Sequence, residues 1–72
     1  MPFLDSDALY SVDYDRRSAA LTVTFKDNRR TYAYDGVPKH LYDELLAAES
    51  HGAYFNLHIK PYFPHREIRR SA

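Results

Sequence analysis

The chain is expected to fold as an α+β domain: a three-stranded antiparallel β-meander covered on one face by an α-helix, followed by a short second helix and an extended C-terminal tail. Three observations lead there. Residues 9–14 and 21–26 alternate large apolar with small or polar side chains, the period of a half-buried strand. Tyr32-Ala33-Tyr34 repeats the alternation just after a charged turn and puts both rings on one strand face. From Pro38 onward the period changes, and Leu41, Leu45 and Ala48 recur with Tyr42 and Leu46 at helical spacing.

In the first strand Tyr10, Val12 and Tyr14 share a face against Leu9, Ser11 and Asp13; in the second, Leu21, Val23 and Phe25 oppose Thr22, Thr24 and Lys26. Asp15-Arg16-Arg17-Ser18 has turn composition. Taken as a four-residue loop, it sets Val12 opposite Leu21 and Tyr10 opposite Val23. In Asp27-Asn28-Arg29-Arg30, Asn28 suits the left-handed conformation of a tight hairpin, and a two-residue loop sets Phe25 opposite Tyr32 and Val23 opposite Tyr34. The inner face then carries Tyr10, Tyr14, Phe25, Tyr32 and Tyr34. The outer one carries Ser11, Asp13, Thr22, Thr24, Lys26, Thr31, Ala33 and Asp35.

Proline suits a first helical turn, so Pro38 opens the helix that covers the inner face, with Gly36 easing the approach and Lys39, Asp43, Glu44 and Glu49 largely off the apolar stripe. Gly52 is expected to end that helix and Ser50 to cap a second one carrying Tyr54, Phe55 and Ile59, stopped by Lys60-Pro61. Residues 62–68 are too proline-rich for a helix and are expected to run extended across the body. Residues 69–72 are expected to fray.

With 72 residues, 44% of them apolar and 15% aromatic, the whole chain makes a single domain with one core, spanning about residues 6–68. The absence of cysteine leaves packing by bulky aromatics to hold that core, which suits a reducing cytoplasm. No basic leader and no apolar run of about 18 residues is present, which argues against export and membrane insertion. Net charge is zero, yet Asp5, Asp7, Asp13 and Asp15 precede the first cation while Lys60, Arg66, Arg69 and Arg70 crowd the end. A basic end of this kind neutralises phosphates, although a pI near 6.9 lacks the strong field of dedicated nucleic-acid binders.

Leu21-Thr22-Val23-Thr24-Phe25, Tyr32-Ala33-Tyr34 with Val37-Pro38 behind it, Tyr42, and the segment from Ala48 through Ser50, Gly52, Tyr54-Phe55-Asn56 and Ile59 together resemble the KTSC domain, over about residues 6–68. That bacterial module occurs alone and at the C-terminus of some lysyl-tRNA synthetases. The resemblance implies RNA binding, by analogy with that attachment, and carries over no catalytic residues.

Tyr32 and Tyr34 are of the type that stacks on bases, but the register places them in the core with Leu21, Val23 and Phe25. The preferred surface is instead basic: Arg29, Arg30, Lys60, Arg66, Arg69 and Arg70 as phosphate neutralisers and Tyr62 as a stacking ring, with Lys26, Asn56, His58 and Phe63 nearby in sequence. His40, His51, His58 and His65 show no i, i+4 pair and no thiol accompanies them, so no metal is expected. Asp13 and Asp15 flank a turn and read as solvated; Ser50 beside His51 reads as a cap rather than a nucleophile. The expected function is a non-catalytic nucleic-acid-binding accessory module, for RNA before other nucleic acids, without cofactor. The alternative is a protein-interaction module or homodimer that uses an unpaired edge at the first or third strand.

Overall fold

In the computed structural model, which describes residues 8–68, the expected meander forms as β1 (Leu9–Asp15), β2 (Ala20–Phe25) and β3 (Thr31–Tyr34). Two helices follow, α1 (Lys39–Ala47) and α2 (His51–His58), and then a fourth strand, β4 (His65–Ile68). The sheet is antiparallel throughout, in the order β1-β2-β3-β4. The α+β class is as expected; the strand number is four rather than three. The segment foreseen as an extended tail pairs with β3 because that strand otherwise presents a bare edge, and Asp35 N–H continues the ladder to Pro64 C=O at 3.0 Å. Consequently β3 is interior, and the sheet edges are β1 and β4.

Side-chain parity holds in β2 and β3, while both hairpins sit two residues from the expected register. Val12 faces Val23 and Tyr14 faces Leu21; Leu21 faces Tyr34 and Val23 faces Tyr32. Each loop contains four residues, 16–19 and 26–29, and each ends on a non-glycine residue of positive φ, Ala19 at 56° and Arg29 at 57°. Asn28 does not take the left-handed conformation itself. Its Oδ1 accepts Arg30 N–H at 2.9 Å, closing an Asx turn that leaves the strained position to Arg29.

Parity fails at one place. Leu9 faces Phe25 while Ser11 faces Thr24, so a β-bulge absorbs Tyr10 and sends Leu9, rather than Tyr10, to the core face. The outer face is also less open than expected, because Ser11, Thr31 and Ala33 are buried and the Thr24 and Thr31 hydroxyls hydrogen-bond at 2.9 Å.

Both helices cover the inner face, not the first alone. Leu45 of α1 and Phe55 of α2, with Ile59 just beyond it, close over Leu9, Val12, Leu21, Val23, Tyr34 and Val37. Tyr42 stacks on Tyr14 at 5.2 Å, and the Tyr14 hydroxyl donates to Val37 C=O at 2.6 Å, fixing the approach to α1 over β1 and β2. Phe55 meets Phe25 and Tyr34 edge to face at 5.8 and 5.0 Å, fixing α2 over β2 and β3. Ser50 caps α2 as expected, its Oγ accepting Ala53 N–H at 3.2 Å. Gly52, expected to end α1, lies instead inside the first turn of α2, where a Cβ would come 2.9 Å from that of Ala8. Its bareness serves close approach of helix and strand. Gly36, at φ 76°, does make the turn before α1.

Candidate nucleic-acid interface

The order of the sheet decides which cations are neighbours. Arg29 and Arg30 close the β2–β3 hairpin, with Lys26 at its other side, and all three are exposed. Thr31 pairs with Ile68, so the chain leaves β4 beside this same hairpin. Arg69 and Arg70 follow in sequence and lie outside the described residues.

Lys60 and Tyr62 belong to the opposite end. They occupy the loop from α2 to β4, and that loop meets Asp35 through the Pro64 carbonyl. Arg30 and Asp35 are five residues apart along extended chain, about 17 Å at the usual strand rise. That is about twice the Debye length at physiological salt, so the two groups act as separate fields rather than one patch. Tyr62 is 72% exposed and available for contact. Arg66 lies between the ends, and its Nε is 3.7 Å from Asp35 Oδ2, which offsets part of its charge.

Two features are missing from the sequence-based set. Arg16 and Arg17, exposed in the β1–β2 loop, share the sheet end of Lys60, because Leu21 pairs with both Tyr14 and Tyr34. Tyr10 belongs to the hairpin end: the Arg29 guanidinium lies 3.8 Å from its ring centroid. The signal for Arg16 and Arg17 is present in the sequence as a charged turn. Nothing local distinguishes Tyr10 from a core tyrosine, since the bulge depends on tertiary pairing.

The remaining candidates have structural partners. Tyr34 is 2% exposed and Tyr32 half-buried, both ringed by core aromatics and by His65, whose ring stacks on Tyr34 at 5.2 Å. Burial pushes the Tyr34 phenol up from its ordinary value, with the nearby Tyr32 adding to it. Burial likewise raises Tyr42, helped by Asp13 and Asp43, and Tyr54, helped by Glu44. The His51 Nδ1 contacts Leu45 C=O at 2.8 Å, and His58 packs on Tyr54. Among the described residues no three His, Cys, Asp or Glu side chains group as metal ligands. Asp13 and Asp15 accept local backbone N–H groups, from Tyr14 and Arg17, in the manner of turn residues. No helix among the described residues is long and apolar enough to cross a membrane.

Comparison with known proteins places this geometry. The family model of the KTSC domain matches residues 5–63. A protein of Tsukamurella paurometabola is 38% identical over 60 residues, 83% of this chain and 88% of its own. One from Stutzerimonas stutzeri is 38% identical over 58 residues, 81% of this chain and 80% of its own. The crystal structure of a KTSC domain protein from Yersinia pestis superposes with a TM-score of 0.89 at 31% identity, covering 94% of each chain.

Proposed function

This chain belongs to the KTSC domain family, and on that premise we propose that it is a non-catalytic nucleic-acid-binding accessory module acting on RNA in the cytoplasm. One observation carries the reading: the Thr31–Ile68 pairing makes the chain leave the sheet beside the hairpin of Lys26, Arg29 and Arg30. Lys26, Arg29 and Arg30 of that hairpin neutralise successive phosphates, with Arg69 and Arg70 following Ile68 in sequence as further cations. Lys60, Tyr62 and Arg66 are secondary contacts, because Lys60 and Tyr62 lie at the far end and Arg66 is paired with Asp35. The tyrosines of the signature support this assignment by being spent on the core.

Binding of a fluorescent single-stranded RNA, followed by anisotropy as salt is raised, tests the reading. Log K is expected to fall linearly with log salt at about −0.7 per neutralised phosphate. Replacing Arg29 and Arg30 together by alanine reduces the slope by about 1.4, whereas Lys60→Ala changes it little. Affinity that is absent at low salt, or insensitive to salt, contradicts it.

The interaction-module alternative is favoured by a different observation: β4 is an edge strand. Self-pairing there is opposed by charge. An antiparallel pairing of two copies that continues the sheet with its faces preserved must place one residue opposite itself, and at the centre of His65–Ile68 that residue is Arg66 or Glu67. A partner strand on this edge is therefore a different chain, with an acid opposite Arg66 or a base opposite Glu67. Sedimentation across a concentration series is expected to show a monomer.

A further inference from the structure

The geometry points to a nucleobase-stacking site on the outer face of the Arg29 guanidinium, which we propose is held flat by Tyr10 to receive one unpaired base of a single-stranded RNA. The inference deepens the RNA reading above and rests on it.

Two departures from regular structure meet at this pair. The bulge between Leu9 and Ser11 adds one residue to β1, and the added residue is Tyr10, turned out of the alternation that sends Leu9 and Val12 inward. On the neighbouring hairpin Arg29 holds φ at 57°, a conformation strained for a side-chain-bearing residue and one that glycine adopts freely. The strained residue carries a planar cation, and its guanidinium carbon sits 3.8 Å from the Tyr10 ring centroid, the separation of stacked planes.

A guanidinium stacked on one side keeps its opposite side for a second flat group and its N–H edge for acceptors. Arg29 is exposed. A base is the flat group that RNA supplies, and single-stranded RNA is commonly recognised by stacking on aromatic rings and arginine planes. Tyr10 lowers the entropy lost on binding by fixing the plane beforehand. Arg30, beside it, meets the phosphate of the same nucleotide without reading the base. A duplex offers no unstacked base and is bound here by charge alone.

The test uses the full chain and a short single-stranded RNA carrying 2-aminopurine, whose fluorescence is quenched when it stacks. Wild type is expected to quench the probe and to bind it more tightly than a duplex of equal length. Arg29→Lys keeps the charge and loses the plane: about tenfold weaker affinity, loss of quenching and an unchanged salt slope are expected. Tyr10→Phe keeps the support and binds as wild type, while Tyr10→Leu reproduces the loss. Thermal unfolding of each variant verifies that it is folded, and Tyr10→Phe guards against reading a folding defect as a binding one. Wild-type quenching and affinity retained in Arg29→Lys overturn the stacking site and leave the RNA reading standing. A wild type that binds neither RNA at low salt overturns both.

Discussion

Phe55 meets Tyr34 edge to face, ring centroids 5.0 Å apart, and through this contact the second helix is fastened to the centre of the sheet. Both rings are almost wholly buried. Phe55 also touches Phe25, so its loss unpacks two strands at once. Phe55→Ala is expected to cost about 3–5 kcal/mol, comparable to the whole stability of a domain this small. Tyr34→Ala should cost a similar amount and Tyr34→Phe less than about 1 kcal/mol, because the ring and not the hydroxyl fills the core. Urea unfolding of the three variants checks the ranking.

Gly52→Ala tests the closeness of helix and strand. Alanine in place of glycine within a helix ordinarily stabilises by about 1 kcal/mol. Here the added Cβ would lie 2.9 Å from that of Ala8, and overpacking of this kind costs about 1–3 kcal/mol. Gly52→Ala is therefore expected to lower Tm, and Ala8→Gly in the same chain to restore it. Additive effects of the two substitutions would show that they do not meet.

The positive φ at Ala19 predicts a gain. Glycine relieves the left-handed strain at the end of the first loop, offset in part by its greater freedom when unfolded, for a net stabilisation of about 0.5–1 kcal/mol in Ala19→Gly. Arg29→Gly relieves the same strain and forfeits the stack on Tyr10, so it should gain less. Denaturant midpoints of the two variants separate the effects.

Alkaline pH should weaken the fold through Tyr34. Burial raises its phenol above the ordinary 10.0, so between the unfolded and folded values the native state holds a proton that the unfolded chain has released. This contribution to stability is complete below pH 10 and declines as pH rises toward the folded value. Urea midpoints measured from pH 8 to 11.5 are expected to fall less in Tyr34→Phe than in wild type. An equal fall in both would remove Tyr34 as a cause.

Side-chain parity is legible in the sequence because a slip of one residue would send Val12, Leu21, Val23 and Tyr34 to the wrong face together. A slip of two is not legible: Val12 finds an apolar partner whether it faces Leu21 or Val23, and loop length decides between them. The fourth strand is hidden because His65-Arg66-Glu67-Ile68 carries no apolar alternation, as befits a charged edge. Its absence from the sequence reading also hides the grouping of the cations, since only the Thr31–Ile68 pairing brings the chain's departure from β4 to Arg29 and Arg30. Tyr10 and Gly52 escape for a shared reason. Each answers to a neighbour distant in sequence, Arg29 in one case and Ala8 in the other.

The most direct measurement is a map of backbone amide shifts as single-stranded RNA is added to isotope-labelled protein. Shifts concentrated in residues 26–30, with Tyr10 and Ile68, and quiet amides at Tyr32 and Tyr34 beyond that border are expected. Shifts centred on Lys60 and Tyr62, or none at saturating RNA and low salt, would contradict a binding surface at the hairpin end.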